Sequence, residues 1–168
     1  MEREPFPDLS IEYVSGLLDG CGRFTVSIAQ TDESVIGYRM EPVVILSKSD
    51  SHGFIRRVSR FMEEHGVRTI YSDNNTTSIH VQQNESILRL IDLTSPYLVA
   101  TLEAAIIMEE EIIPAYRSGV NTSMERFYDL MEIVDYLSEL QGSRRERKYT
   151  QAYFTELWTD DLAFDDNG

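Results

Sequence analysis

Three glycines within seven residues, Gly16, Gly20 and Gly22, punctuate a segment whose apolar residues otherwise follow a helix. Ile11, Val14, Leu17 and Leu18 recur at helical spacing across residues 8–22, and Pro7 and Asp8 can start the helix. The period then changes at once. Phe24, Val26 and Ile28 alternate with Thr25, Ser27 and Ala29, which is the pattern of a half-buried strand. Gly16 and Gly20 lie four residues apart and share one helix face, so two such helices can approach until their backbones nearly touch.

Beyond this point, periodicity and turn residues set the order of elements. The run TDESVIG turns into a return strand, Tyr38–Leu46, completing a hairpin. Ser51–His65 reads as a second helix, stopped by Gly66. A shorter hairpin follows, Val67–Tyr71 and Thr77–Gln82, joined by SDNN. Glu85–Leu93 is a short helix ending before Pro96, and Pro96–Ile113 a longer one expected to stop at Pro114. Ser123–Leu140 is another helix, QGSRRERK a charged connector, and Thr150–Trp158 a last amphipathic helix. An αββαββα order predicts an α+β domain, with four antiparallel strands covered on one face by helices and further helices at the C-terminal end. The expectation is one domain over residues 1–158 and a frayed acidic tail over 159–168.

Composition narrows the setting. The chain has 168 residues, 42% of them apolar, which suffices for a core. No apolar run reaches membrane-spanning length, and MEREPFPD has no apolar h-region. With a single cysteine, an intramolecular disulfide is ruled out, and a reducing cytoplasm is expected. The charge is extreme: 29 acids against 15 bases, the bases being 13 arginines and only Lys48 and Lys148. Such a surface repels itself in dilute buffer and is screened in concentrated salt. The lysine-poor acid excess points to a salt-accumulating, halophilic archaeal source, the alternative being an acidic mesophilic protein that avoids nucleic acid.

The segment Tyr13-Val14-Ser15-Gly16-Leu17-Leu18-Asp19-Gly20-Cys21-Gly22-Arg23-Phe24 closely resembles the signature of the LAGLIDADG homing endonucleases, site-specific DNA-cleaving enzymes. Element order and lengths over roughly residues 8–158 resemble the family's single-motif members. One motif copy implies a homodimer joined through Tyr13, Gly16, Leu17 and Gly20. In the family two acids, one per unit, hold the metal ions that activate water and stabilise the leaving oxygen.

Against that resemblance the chain departs at the chemistry. The family's metal-binding acid falls on Cys21, and a thiol is a poor ligand for magnesium, which demands hard oxygen donors. Asp19 sits two residues earlier, about 200° round the helix, and is expected to play a structural part at the helix end. The polar water-positioning residue maps near Ser47, and the basic residue near the phosphates maps near Thr101, in a stretch without a base. No catalytic set is intact. Neither a metal nor a cofactor is expected, although two copies of Cys21 near a two-fold axis could form a disulfide or hold zinc.

The resemblance implies that the open sheet face lies in the major groove and that alternate side chains read bases. Transferred here, that face holds Thr25, Ser27, Tyr38, Met40, Val44, Thr69, Tyr71, Ser78, His80 and Gln82. Phosphate contacts would come from Arg23, Arg39, Lys48 and Arg68, and from Arg144, Arg145, Arg147 and Lys148 in the connector. The leading expectation is a non-cleaving homodimer that binds double-stranded DNA in a regulatory or architectural role. One alternative is a saddle that binds a protein partner through Tyr38, Met40, Val44 and Tyr71. Another is residual nuclease activity through Asp19 and Lys48.

Overall fold

A computed structural model describes residues 8–49, 52–74, 76–142 and 146–162. It mixes helices with a four-stranded antiparallel sheet of order β1-β2-β4-β3. The elements are α1 (Ile11–Cys21), β1 (Gly22–Gln30), β2 (Tyr38–Ser47), α2 (His52–Glu64), β3 (Ile70–Ser72), β4 (Ser78–Val81), α3 (Asn84–Thr94), α4 (Leu102–Ile107), α5 (Ile113–Arg117), α6 (Met124–Leu140) and α7 (Gln151–Leu157). Two compact units emerge, each discontinuous in sequence. One comprises Met1–Arg23 and Val44–Leu102, the other Phe24–Val43 and Glu103–Gly168.

In the first unit, α1 starts later than its apolar period suggests. Ser10 is the N-cap, its hydroxyl accepting the Tyr13 N–H at 3.1 Å. Val14, Ser15 and Leu18 are buried, and the Ser15 hydroxyl is bonded to the carbonyl of Ile11 at 2.7 Å. At the other end, a Cβ on Gly22 would lie 2.7 Å from the Leu18 carbonyl oxygen, so the passage from α1 into β1 requires glycine. Gly66, at φ +84°, ends α2 and lets the Val67 N–H reach back to the Met62 carbonyl at 3.0 Å. Ile55, Val58, Met62, Ile79, Ile87 and Leu90 complete this core.

In the second unit the hairpin of β1 and the first part of β2 is held by α6 from both ends. Asn121, just before α6, pairs with the backbone of Met40, accepting its N–H at 2.8 Å and donating to its carbonyl at 3.0 Å. Gln141, just after α6, does the same for Phe24, at 2.9 and 2.6 Å. Two side-chain amides thus act as one-residue strand partners, satisfying backbone groups that burial would otherwise leave unpaired. Phe127, Met131, Val134, Leu137, Phe154 and Trp158 fill the core.

Pro114 does not end its helix. A π turn over Met108–Ile112 precedes it, and the Ile113 N–H bonds five residues back to Met108. The wider turn accommodates a residue that has no N–H of its own, and the helix continues to Arg117. Among the described residues, no helix is long and apolar enough to cross a membrane.

Candidate nucleic-acid interface

The α1 helix presents two opposite surfaces. Val14, Ser15, Leu17 and Leu18 face the core, while Glu12, Tyr13, Gly16 and Gly20 are exposed. A Cβ at Gly16 or Gly20 would meet nothing within 4 Å. Among the described residues, nothing requires glycine at either place. Tyr13 remains 49% exposed with its ring edge against Phe54, the ring centroids 6.2 Å apart. Of the four residues assigned to a dimer contact, Leu17 is corrected: its side chain belongs to the core, being 9% exposed.

At the end of α1, Cys21 is half-buried and its thiol donates to the Leu17 carbonyl at 3.3 Å. Asp19 is fully engaged elsewhere. Its Oδ2 accepts the Val99 N–H at 2.9 Å, and its Oδ1 accepts both the N–H and the hydroxyl of Thr101, at 2.9 and 2.8 Å. Burial alone pushes this carboxyl up. The donors of Thr101 and Val99, with the Ala100 N–H, outweigh it and hold the group below the ordinary carboxylate value. Asp19 therefore ties the turn before α4 to the end of α1, as its expected structural part required. Thr101 is buried in that contact.

These residues do not suit magnesium. The helix end supplies a soft thiol, and the hard oxygens of Asp19 already accept three donors from Val99 and Thr101. Among the described residues, no group of three or more His, Cys, Asp and Glu comes together that could hold a metal ion. Lys48 is exposed, its ammonium lying 5.5 Å from the Phe54 ring centroid. Asp19 is thus bonded to Val99 and Thr101, and no contact among the described residues brings Lys48 to it; the Lys48 ammonium lies by Phe54 instead.

The strand faces correct part of the expected DNA-reading surface. On β1 the alternation holds: Phe24 is buried, and Thr25 and Ser27 lie on the other face. On β2 the phase is the reverse of that expected. Tyr38, Met40 and Val44 are 5%, 1% and 1% exposed, while Arg39, Glu41, Ile45 and Ser47 occupy the open side. Sequence could not fix that phase, because both sides of YRMEPVVILS carry apolar residues. Tyr38 is drawn inward by Tyr149, Tyr153, Phe154 and Trp158, all edge-on to its ring, with its hydroxyl 2.9 Å from that of Tyr153. Tyr71 likewise faces the helix side, with the Arg56 guanidinium 5.0 Å from its ring centroid. A partner-binding surface of Tyr38, Met40, Val44 and Tyr71 therefore does not exist, since three are core and the fourth packs on α2.

Register then defines the open face of the first unit. Ile45 pairs with His80, and His80 with Ile70, while Ser47 pairs with Ser78, and Ser78 with Ser72. His80 is thus on the open face, as expected. Arg68 is exposed in the segment before β3, and Arg23 is half-buried at the start of β1. In the second unit Arg39 is paired with Glu41 at 2.8 Å. Arg147 is ion-paired with Asp135, whose second oxygen accepts the Gln151 N–H at 2.9 Å. Lys148 lies 4.9 Å from the Tyr149 ring centroid. Arg144 and Arg145 lie outside the described residues.

Charge is unevenly divided. By sequence the first unit has 11 acids against 8 bases, and the second 18 against 7. The acidity noted in the composition is thus mainly a property of the second unit.

No family model and no curated protein matches the chain. Solved structures do. The homing endonuclease I-CvuI, determined in complex with its target, superposes with a TM-score of 0.74 at 12% identity, over 89% of this chain and 92% of that one. The archaeal intron-encoded homing endonuclease I-Vdi141I, complexed with DNA, gives 0.69 at 20% identity, over 89% and 94%. The LAGLIDADG homing endonuclease I-SmaMI, bound to cleaved DNA, gives 0.63 at 13% identity, over 92% of this chain but only 49% of that one. The chain has the fold of the LAGLIDADG homing endonucleases.

Proposed function

We propose that the chain is a homodimeric DNA-binding protein of the LAGLIDADG fold that does not cut DNA through paired magnesium-bound acids. The observation that carries the reading is the end of α1, where the Cys21 thiol stands in place of a carboxylate and Asp19 is filled by Val99 and Thr101. The solvent-open Gly16 and Gly20 stripe supports a second copy packed against α1. DNA-bound neighbours of the same fold support a duplex as ligand.

A regulatory or architectural role in the salt-rich cytoplasm of a halophilic archaeon fits the charge. There the counterion-release contribution to binding shrinks, and shape and uncharged contacts carry more of it. The test is retention of genomic duplex fragments in molar KCl, with and without magnesium. Retention without strand cleavage is expected. Cleavage with magnesium, or no retained fragment, overturns the reading.

A further inference from the structure

The second unit carries apolar surface outside its core. Two contacts hold the stretch from α4 to α5 antiparallel to α6. The Tyr136 hydroxyl donates to Glu103 at 2.7 Å, and the Arg126 guanidinium donates to the Ser118 carbonyl at 2.8 Å. Between α5 and α6 lies a groove of about 370 Å³, roughly the space of a dozen waters. Buried Val120 and Leu130, with half-buried Ala115 and Ile133, give it an apolar lining. Three and seven residues past Ile133, Tyr136 and Leu140 continue that stripe of α6, 48% and 37% exposed. The rim is acidic. Glu111 and Asp129 are exposed there and have no ion-pair partner among the described residues, and Glu125 and Glu132 flank Asp129 at helical spacing. The unit as a whole holds 18 acids against 7 bases.

We propose that this groove docks a short helical segment of a protein partner, one that carries apolar side chains at helical spacing between lysines or arginines. Charge selects that occupant. A second copy of this chain, meeting the groove about a two-fold axis, brings the same acids to it. The chain's own end, Phe164-Asp165-Asp166, is acidic as well, and a duplex is repelled for the same reason. Apolar anchors at i, i+3 or i+4 and i+7 suit a groove between helices, while basic flanks meet Glu111 and Asp129. Exposed pairs of this kind contribute little to affinity and more to orientation and choice of partner. The apolar contacts carry the affinity and persist in concentrated salt, where the charge contribution is screened. The site lies within the second unit and does not depend on whether the chain binds DNA.

The experiment uses the full chain and two fluorescent synthetic helical peptides. Both carry leucines at i, i+3, i+4 and i+7, one with lysine and the other with glutamate at the flanking positions. Binding is read by anisotropy at the lowest salt that keeps the parent folded by circular dichroism, and again in molar KCl. The lysine peptide binds under both conditions. At the lower salt the glutamate peptide binds at least about fivefold more weakly, from two exposed pairs turned into like-charge contacts. Glu111→Lys with Asp129→Lys reverses that preference. Ala115→Trp fills the groove and abolishes binding of the lysine peptide, with thermal unfolding checking that the fold is kept. Ile133→Gln serves if the tryptophan variant unfolds. Equal binding of the two peptides at the lower salt, binding of neither, or lysine-peptide binding that the groove variants leave unchanged overturns the proposal. So does a fall in sedimenting mass on Ala115→Trp, which gives the groove to a second copy. Duplex retention by the groove variants stays that of the parent, so failure here leaves the DNA-binding reading standing.

Discussion

Asp19 Oδ1 receives two hydrogen bonds from one residue, Thr101, from the backbone N–H at 2.9 Å and the hydroxyl at 2.8 Å. The pair is separated by 82 positions in sequence and joins the end of α1 to the turn that starts α4. An acid in a motif that suggests metal chemistry is here a clamp.

Asp19→Asn keeps an acceptor but removes the charge, and loses about 1–2 kcal/mol of stability. The pH dependence follows from the depressed carboxyl. Its folded value lies below its unfolded one, so its stabilisation is present above the unfolded value near 4 and is lost as pH falls through the folded value. Acid unfolding of Asp19→Asn compared with the parent checks this. The two curves converge at the lowest pH, and parallel curves refute the clamp.

The glycines of α1 separate by variant. Gly16→Leu fills space that is open in the monomer and blocks close helix approach, so sedimentation shows a shift from dimer to monomer with the helical content kept. Gly22→Ala drives a Cβ into the Leu18 carbonyl and lowers stability by about 1–3 kcal/mol without being aimed at assembly. A dimer unaffected by Gly16→Leu and by Gly20→Leu removes α1 as the contact.

Tyr38 holds its phenolic proton to about pH 12, because burial disfavours the phenolate and the hydrogen bond with Tyr153 adds to the effect. A folded value raised above the unfolded value near 10 gives stabilisation that is complete below pH 10 and lost as pH rises toward 12. Tyr38→Phe costs about 1 kcal/mol at neutral pH, from the lost hydroxyl pair. It also flattens alkaline unfolding over that window. Denaturant unfolding of Tyr38→Phe and the parent at neutral pH and across pH 10–12 measures both.

Arg147 is committed to Asp135, so Arg147→Ala weakens duplex retention less than Asp135→Asn strengthens it by releasing the guanidinium. The slope of log affinity against log salt is the readout. A released arginine that reaches a phosphate steepens it by about 0.9.

The glycine-punctuated α1, its passage into β1 and the order of the strands were legible from local signals, because period, caps and turn residues act over a few positions. Gly66 as a stop follows the same rule, whereas the cap of α1 is Ser10 and not the expected Pro7 and Asp8. That Cys21 falls where the resembled signature carries an acid was also plain in the letters. The phase of β2 was not, since Tyr38 and Met40 are chosen for the interior by Tyr153, Trp158 and Asn121, residues 81 to 120 positions away. The partner of Asp19 and the Ile45–His80–Ile70 row were equally hidden. By itself the sequence determined the order of the helices and strands, though not that the expected Pro96–Ile113 helix begins at Leu102 and runs past Pro114 through a π turn. Only tertiary structure decided which strand face is buried and which carboxylate is occupied, because both depend on contacts that chain separation conceals and packing alone selects.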